Sequence, residues 1–378
     1  MLILTADAVE NLSNIKNISE SKITESKLLI DLCKKIKESF NFEIKLSNNK
    51  KDTTDIVSKL HMFSEKINES NDNLFKKQID KFEKFYSIEL KIKKSTILIH
   101  ILCDKVNNRY ISYILHAINT FCTAFEADYN GLHIYISLDD NKRDLSLDEN
   151  EDDLSLDKIF ELNKRMSTAF NVSGVTMRSK KIIILTKKQE MIKLLFHELI
   201  HFIGLDENFV GENTTVNWAI KNKKLNISEA YTEYLSIIIH SIYISIHLNK
   251  NIIDVIEKEI SYGYYLMSVY LKFYGYNKNN FTDFFLKNEK NAYSSNDKIA
   301  FSPIATFEYV FLRCLFFHYN LLSKIKNISV TSYDINLINN MIIDENFIDR
   351  INKSFTNKSV KKLNYILFDL DDEINSIK

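Results

Sequence analysis

The sequence predicts an α+β fold in which a small mixed sheet backed by helices is followed by an all-helical half. The chain of 378 residues contains only one proline and six glycines, which favours helices and leaves the turns to Asn, Asp and Ser. Strand-like and helical patterns alternate up to residue 204, whereas nearly every segment from residue 227 onward has helical periodicity. With 45% hydrophobic residues, the chain can bury a large core.

Residues 1–93 are predicted to form a mainly helical N-terminal domain of unknown role. Apolar residues recur there with the period of a helix, and two shorter runs read as strands. The predicted helices cover residues 25–40, 54–67 and 74–85, and the predicted strands cover residues 42–46 and 88–92.

Residues 94–225 are predicted to form a second unit that contains the mixed sheet. A T-x-x-Q capping box at Thr186 and Gln189 would start an apolar helix after the last strand, and Gly204 would end it. The acidic segment 139–157, which repeats Asp-Leu-Ser-Leu-Asp, is predicted to be a surface loop. Strands are predicted at residues 96–103, 132–138, 173–177 and 181–185, and a helix at residues 108–126.

Residues 226–378 are predicted to form a helical third unit. No transmembrane helix is predicted, because the apolar run 235–248 is too short and the run 304–322 is interrupted by Glu308 and Arg313. The predicted helices cover residues 227–248, 252–274 and 304–325, with a weaker pair at residues 334–343 and 360–377.

The apolar helix of the second unit carries a complete HExxH motif, His197-Glu198-Leu199-Ile200-His201. Residues four apart share one face of a helix, so both imidazoles can reach one zinc ion through neutral ring nitrogens. Glu198 then lies beside the metal-bound water rather than on the metal. The alternative is a buried amphipathic helix with two histidines in the core, but two buried imidazoles without partners would be costly.

Two carboxylates at the start of the predicted helix 227–248 complete the pattern. Glu229 falls in its first turn, and Glu233 lies one turn later on the same face. This arrangement resembles the gluzincins, HExxH zinc metallopeptidases whose third ligand is a Glu on a second helix, followed four residues later by an acidic residue that orients a His. The alternative for Glu229 is a carboxylate that only stabilises the helix N-terminus.

The resemblance covers residues 96–275 and implies a zincin-like catalytic domain that holds one zinc ion per chain. It implies that His197, His201 and Glu229 are the metal ligands and that Glu233 orients His197. The zinc would lie in a cleft between the mixed upper unit and the helical lower unit.

The resemblance also assigns a base and a substrate strand. Glu198 would take the proton of the zinc-activated water and return it to the leaving amine. Val175, Thr176 and Met177 would form the edge strand that binds a peptide substrate as an added strand. The alternative for this segment is an ordinary hairpin whose edge is covered.

Glu207 is a competing third ligand. It follows His201 and Gly204 at the position where the metzincin pattern HExxHxxGxxH/D has its last ligand, although that pattern does not have Glu there. A metzincin also needs a Met-turn, and the nearest candidate, Met267, lies in a helical pattern without the expected flanking residues. In the gluzincin interpretation Glu207 is a solvated loop charge.

The sequence therefore predicts a zinc-dependent peptidase that acts on a protein or peptide, and it favours an endopeptidase. One alternative is a catalytically inactive zincin-fold protein with a structural or binding role. Another is an intracellular effector or toxin, still an enzyme, whose N-terminal domain recognises one host protein and so defines its specificity. The donor that stabilises the oxyanion is left open among Tyr231, Tyr262, Tyr264, Tyr265, His240 and His247.

Composition bounds partners and location. With 50 basic and 50 acidic residues, there is no bulk electrostatic argument for nucleic acid or an anionic membrane. The four cysteines lack metal or disulfide-framework spacing and are expected to be reduced core residues.

The N-terminal sequence lacks the features of a signal peptide, which favours a cytoplasmic location, viral or host-cell. Abundant Asn, Lys and Ile are typical of AT-rich genomes, such as those of large DNA viruses, low-GC bacteria and some protists.

Overall fold

The computed structural model of the chain contains both helices and a mixed sheet, which confirms the α+β class. The predicted helix 54–67, most of the segments 42–46 and 74–85, and the acidic segment 139–157 lie outside the described residues. The structure describes residues 2–4, 26–40, 46–47, 84–103, 108–138, 174–209, 227–273, 276–284, 308–355 and 366–370.

Within the described residues, six strands form the mixed sheet. They are β2 (Leu46–Ser47), β3 (Lys84–Ile92), β4 (Ser95–Cys103), β5 (Leu132–Ser137), β6 (Gly174–Met177) and β7 (Ile182–Leu185). Their order is β2-β3-β4-β5-β7-β6, in which β4, β5 and β7 are parallel and the other neighbours are antiparallel. The strand predicted at residues 88–92 begins earlier, at Lys84, and the four later strands are confirmed with small shifts at their ends.

One face of the sheet carries isoleucine or leucine at alternate positions within β4, β5 and β7. Ile97 of β4, Ile134 of β5 and Ile183 of β7 are fully buried on this face and belong to the same core as the helices. Helix α2 (Asn108–Ala124) provides the crossover between the parallel strands β4 and β5. The sheet therefore packs against the helices through this apolar face.

The HExxH helix, α3 (Met191–Ile203), follows β7 after a short turn. It ends where predicted, with Gly204 in the left-handed conformation at φ 71°. The predicted capping box at its start is wrong. The helix begins two residues after Gln189, its N-cap is Glu190 at φ 60°, and no side chain caps it, because residues 186–190 are used for the turn from the strand.

Long helices dominate the second half of the chain. Helix α4 (Ile227–Leu248) packs against α3 and against α5 (Ile252–Phe273), and both helices confirm the prediction. The segment predicted as one helix over residues 304–325 is divided, because Asn320 adopts a left-handed conformation at φ 46°. Its described part comprises a π-helical turn (Glu308–Leu312), α6 (Arg313–His318) and α7 (Leu321–Lys324), and the later helices are α8 (Ser332–Asn339) and α9 (Glu345–Ser354).

The two ends of the described chain meet. The helix predicted over residues 360–377 is wrong in its described part, because Phe368–Leu370 forms strand β8, antiparallel to β1 (Leu2–Leu4). The backbone N–H groups of Leu367 and Phe368 donate to the carboxylate of Glu259 on α5 instead of to a helical turn. Local periodicity could not predict this strand, because its partner lies at the opposite end of the chain.

The sheet continues across the predicted boundary at residue 93, which falls in the turn between β3 and β4. The predicted helix 25–40 is present as α1 (Lys27–Phe40), and it packs against α2 and α4. Among the described helices, none is both long and apolar enough to cross a membrane.

Candidate metal centre

The two histidines of the HExxH motif project from successive turns of α3 into one small volume. The Nε2 atoms of His197 and His201 are 3.1 Å apart. His197 is buried, and His201 is partly exposed. The helical spacing therefore has the effect that the sequence predicted, since both ring nitrogens converge on one point.

Helix α4 brings Glu229 to the same point. Its two carboxylate oxygens lie 3.3 Å from Nε2 of His197 and 3.5 Å from Nε2 of His201. One donor atom from each of the three residues lies within 4.8 Å of the other two, a spacing that could hold a metal ion. Within the described part of the chain, this is the group of three that meets that spacing.

Each histidine is held by a carboxylate at its other ring nitrogen. Nδ1 of His197 lies 3.1 Å from Glu233, and Nδ1 of His201 lies 2.8 Å from Asp206. Ser228 donates a hydrogen bond to the same oxygen of Asp206. A carboxylate at Nδ1 favours the tautomer with the proton on that nitrogen, so the lone pair of Nε2 faces the centre.

A third helical segment closes the centre from the other side. Tyr309, in the π-helical turn, donates to Glu229 at 2.9 Å, and its ring lies edge-on to His197. One turn later, Arg313 donates to Glu233 at 3.1 Å. The segment therefore contacts both carboxylates of α4. Tyr309 and Arg313 are one helical turn apart, as are Glu229 and Glu233.

Glu233 is the most enclosed of these groups. It is 1% exposed and contacts buried Lys193 at 2.7 Å as well as Arg313 and His197. Lys193 lies one turn before His197 on α3. The buried carboxylate is thus compensated by two cations and one imidazole, which is the condition under which a charge is tolerated in a core.

The carboxylates give the centre a preference for positive charge. Burial opposes the protonated form of His201, but hydrogen bonds to Asp206 and Glu229 raise its pKa to about 11. Burial also opposes ionisation of Glu229, yet His197 and His201 lower the pKa of this carboxyl well below its usual value. Such a centre favours a bound cation, which must displace protons from the imidazoles.

Glu198 lies on the side of α3 that faces the edge strand β6. It is 4% exposed, and burial raises its pKa above the ordinary value for Glu. The hydroxyl of Thr176 is 2.7 Å from its carboxylate and 2.9 Å from its backbone oxygen. Val175 and Met177, the other two predicted substrate-strand residues, are on the opposite face of β6.

Glu207, the competing ligand of the sequence analysis, is exposed and pairs with Arg178 at 3.2 Å. It is not part of the three-residue group, whereas its neighbour Asp206 holds His201. Met267 is fully buried within α5. Of the two candidate third ligands, Glu229 therefore lies beside the two histidines, and Glu207 does not.

The tyrosines and histidines named as oxyanion donors are mostly core residues. Tyr231 donates to the backbone oxygen of Ile328, and His247 packs against Phe40 and Tyr243. Four others are at most 3% exposed: Tyr262, Tyr264, Tyr265 and His240. Tyr309, which does contact the centre, was missed, because nothing in its local sequence distinguishes it from the other tyrosines.

Fold and centre together define an α+β protein with a candidate metal site of two histidines and one glutamate. The chain is 35% identical over 324 aligned positions, in an alignment that covers 82% of each chain, to the protein named uncharacterized protein R210 of Acanthamoeba polyphaga mimivirus. It belongs to the same protein family as R210. No protein-family model matches the chain, and no solved structure matches it.

Proposed function

We propose that this protein is a zinc-dependent peptidase that cleaves within protein or peptide chains. One observation carries the proposal: donor atoms of His197, His201 and Glu229 converge within 4.8 Å. Glu198 lies next to His197 on α3 and is buried against β6. Two imidazoles, one carboxylate and an adjacent acidic residue are the groups that a catalytic zinc site of the gluzincin kind requires.

The residues fit zinc in their chemistry as well as their spacing. Two neutral imidazole nitrogens and one carboxylate oxygen form a three-ligand donor set that leaves a position open. Glu233 and Asp206 orient the two imidazoles, as is usual for histidines that bind zinc. A bound zinc ion would supply Lewis acidity, lowering the pKa of a water molecule and polarising the scissile carbonyl.

Glu198 is the base in this proposal. Its carboxylate is buried, and burial raises its pKa above the ordinary value for Glu, which makes it a stronger base than an exposed carboxylate. It would take a proton from the attacking water and transfer it to the leaving amine. The hydroxyl of Thr176 holds the carboxylate while it does so.

The substrate is proposed to bind along β6. This strand is the last in the described order of the sheet and pairs through one side with β7. An extended peptide can add to such an edge through backbone hydrogen bonds. Because β6 also contacts Glu198, a peptide bound there would lie beside the base.

Tyr309 is proposed to donate to the carbonyl oxygen of the substrate. It is half-buried, and its hydroxyl already reaches the centre through Glu229. Burial and the charge of Glu229 raise its pKa, so the phenol keeps the proton that it would donate. A positioned donor of this kind stabilises the developing oxyanion.

Elemental analysis tests the metal site directly. The unaltered protein and the variants Glu229→Ala and Glu207→Ala would be purified and incubated with zinc. Unbound zinc would then be removed before the analysis. We expect one zinc per chain in the unaltered protein and in Glu207→Ala, and loss of zinc in Glu229→Ala. No zinc in the unaltered protein would overturn the proposal and leave a zincin-like scaffold as the interpretation.

A further inference from the structure

Gly174 lies directly against the carboxylate of Glu198. A Cβ atom added at this glycine would come within 2.9 Å of both Cγ and Cδ of Glu198, closer than real Cβ contacts allow. The added atom would meet the side chain of Glu198. This is because positions 174 and 176 of β6 lie on the face of the strand that packs against α3. Glycine at this position therefore makes room for the acidic side chain.

Thr176, two residues further along β6, supplies the complementary contact. Its hydroxyl donates toward one carboxylate oxygen of Glu198 at 2.7 Å and lies 2.9 Å from the backbone oxygen of the same residue. One hydroxyl therefore joins the edge strand to both the side chain and the backbone of the HExxH glutamate. Space from Gly174 and a hydrogen bond from Thr176 together restrict where the carboxylate can lie.

We propose that Gly174 and Thr176 are positioning residues that fix the carboxylate of Glu198. These two residues of the edge strand are called the Glu198 seat, or the seat. This inference rests on the proposed function for its catalytic consequence, but the seat itself is a property of the fold. A peptide that adds to β6 would bind the strand that also holds Glu198. Substrate docking and the position of the base are thus coupled through four residues of one strand, Gly174–Met177.

Thermal unfolding of single and double variants tests the seat without any assay of hydrolysis. Gly174→Ala is made in the unaltered protein, in Glu198→Gln and in Glu198→Ala. We expect the melting temperature to fall by about 3–6 °C in the first two backgrounds, where a side chain of full length remains, and by less than about 1 °C in Glu198→Ala. The Gln background separates a steric conflict from an effect of charge.

Thr176→Val is compared in the unaltered protein and in Glu198→Ala. The loss of melting temperature should be larger in the unaltered protein, because only there is the carboxylate contact removed. Val175→Ala is the matched control on the opposite face of β6, and its effect should be equal in both backgrounds. Equal losses for Gly174→Ala in all three backgrounds would overturn the inference.

Kinetics and metal content complete the test. We expect Thr176→Val to keep its zinc and to lose about 10- to 100-fold in kcat with little change in KM, and Thr176→Ser to restore most of the loss. Coupled melting temperatures in a zinc-binding protein that hydrolyses no peptide would support the seat and contradict the peptidase proposal. An active enzyme without coupling would support the peptidase and contradict the seat.

Discussion

At the scale of single residues, Glu233 has the most demanding surroundings of the residues at the candidate metal centre. It is almost completely buried, yet Lys193, Arg313 and His197 surround its carboxylate at 2.7–3.1 Å. Removing one partner of a buried ion pair leaves an uncompensated charge, which costs far more than an exposed pair contributes. The residue that orients a proposed ligand is therefore also important for folding.

Replacing Arg313 by Met should lower the free energy of unfolding by about 3–5 kcal/mol, because the carboxylate of Glu233 loses a buried cationic partner. Urea denaturation followed by circular dichroism measures this change. Lys181→Met is the control, since Lys181 forms an exposed pair with Asp128, and its effect should stay below about 1 kcal/mol. A loss as small as that of the control would contradict the assigned role of Arg313.

Replacing Glu198 by Gln should abolish peptide hydrolysis, by at least about 100-fold in kcat, because the amide cannot accept the proton of the attacking water. The zinc content should be unchanged, since Glu198 is not one of the three converging ligands. Hydrolysis and zinc are measured on the same preparation. Full activity in this variant would show that another group is the base.

At the scale of elements, three helical segments contribute pairs of residues one turn apart. Lys193 and His197 lie on α3, Tyr309 and Arg313 lie on the segment that begins with the π-helical turn, and α4 supplies the two glutamates between them. π-helical turns are often found at functional sites. The packing of three helices thus places a layer of His197, Glu229 and Tyr309 next to a buried ionic layer of Lys193, Glu233 and Arg313.

The contact between α5 and the C-terminal strand has a consequence for pH. Burial raises the pKa of Glu259 from 4.5 to about 7, although backbone N–H groups of Leu367 and Phe368 oppose the shift. Between those pH values the folded protein binds a proton that the unfolded chain has released, so stability must fall as the pH rises. The full shift corresponds to about 3 kcal/mol.

Glu259→Gln should remove this part of the pH dependence, because the amide does not titrate. Unfolding free energies of the variant and of the unaltered protein, measured at several pH values between about 4.5 and 7, give the two slopes. The variant should be flatter over this interval. Parallel slopes would show that Glu259 does not titrate in the folded state as described.

At the scale of the whole molecule, the centre joins the two halves of the chain. The sheet side supplies α3 with His197 and His201, whereas α4 and the later helical segment supply Glu229 and Tyr309. An ion bound between elements so distant in sequence stabilises only the folded chain. Metal binding and global stability should therefore change together.

Removal of the metal by a chelator should lower the melting temperature of the zinc-loaded protein by several degrees, since an ion present at about 100 times its dissociation constant contributes about 2.7 kcal/mol. Differential scanning calorimetry with and without chelator measures the shift. Glu229→Ala should show no further fall on chelation. A fall of equal size in that variant would place the stabilising ion elsewhere.

The local features of this protein could be predicted from its sequence alone. Short strand-like apolar runs predicted the strands, and the spacing of His197 and His201 predicted that both would share one face of a helix. The start of α4 was predictable in the same way, and with it the position of Glu229 in the first turn. These features depend on residues within one or two turns of each other, so local periodicity is sufficient to determine them.

Which distant groups meet could be learned only from the packing of the helices and strands. It places Glu229 rather than Glu207 beside the two histidines, and brings Tyr309 and Arg313 to the carboxylates of α4. It also pairs β1 with β8, where the local pattern predicted a helix. The physical reason is that such contacts depend on how whole helices and strands pack, and an apolar helix face does not specify its partner through its own sequence.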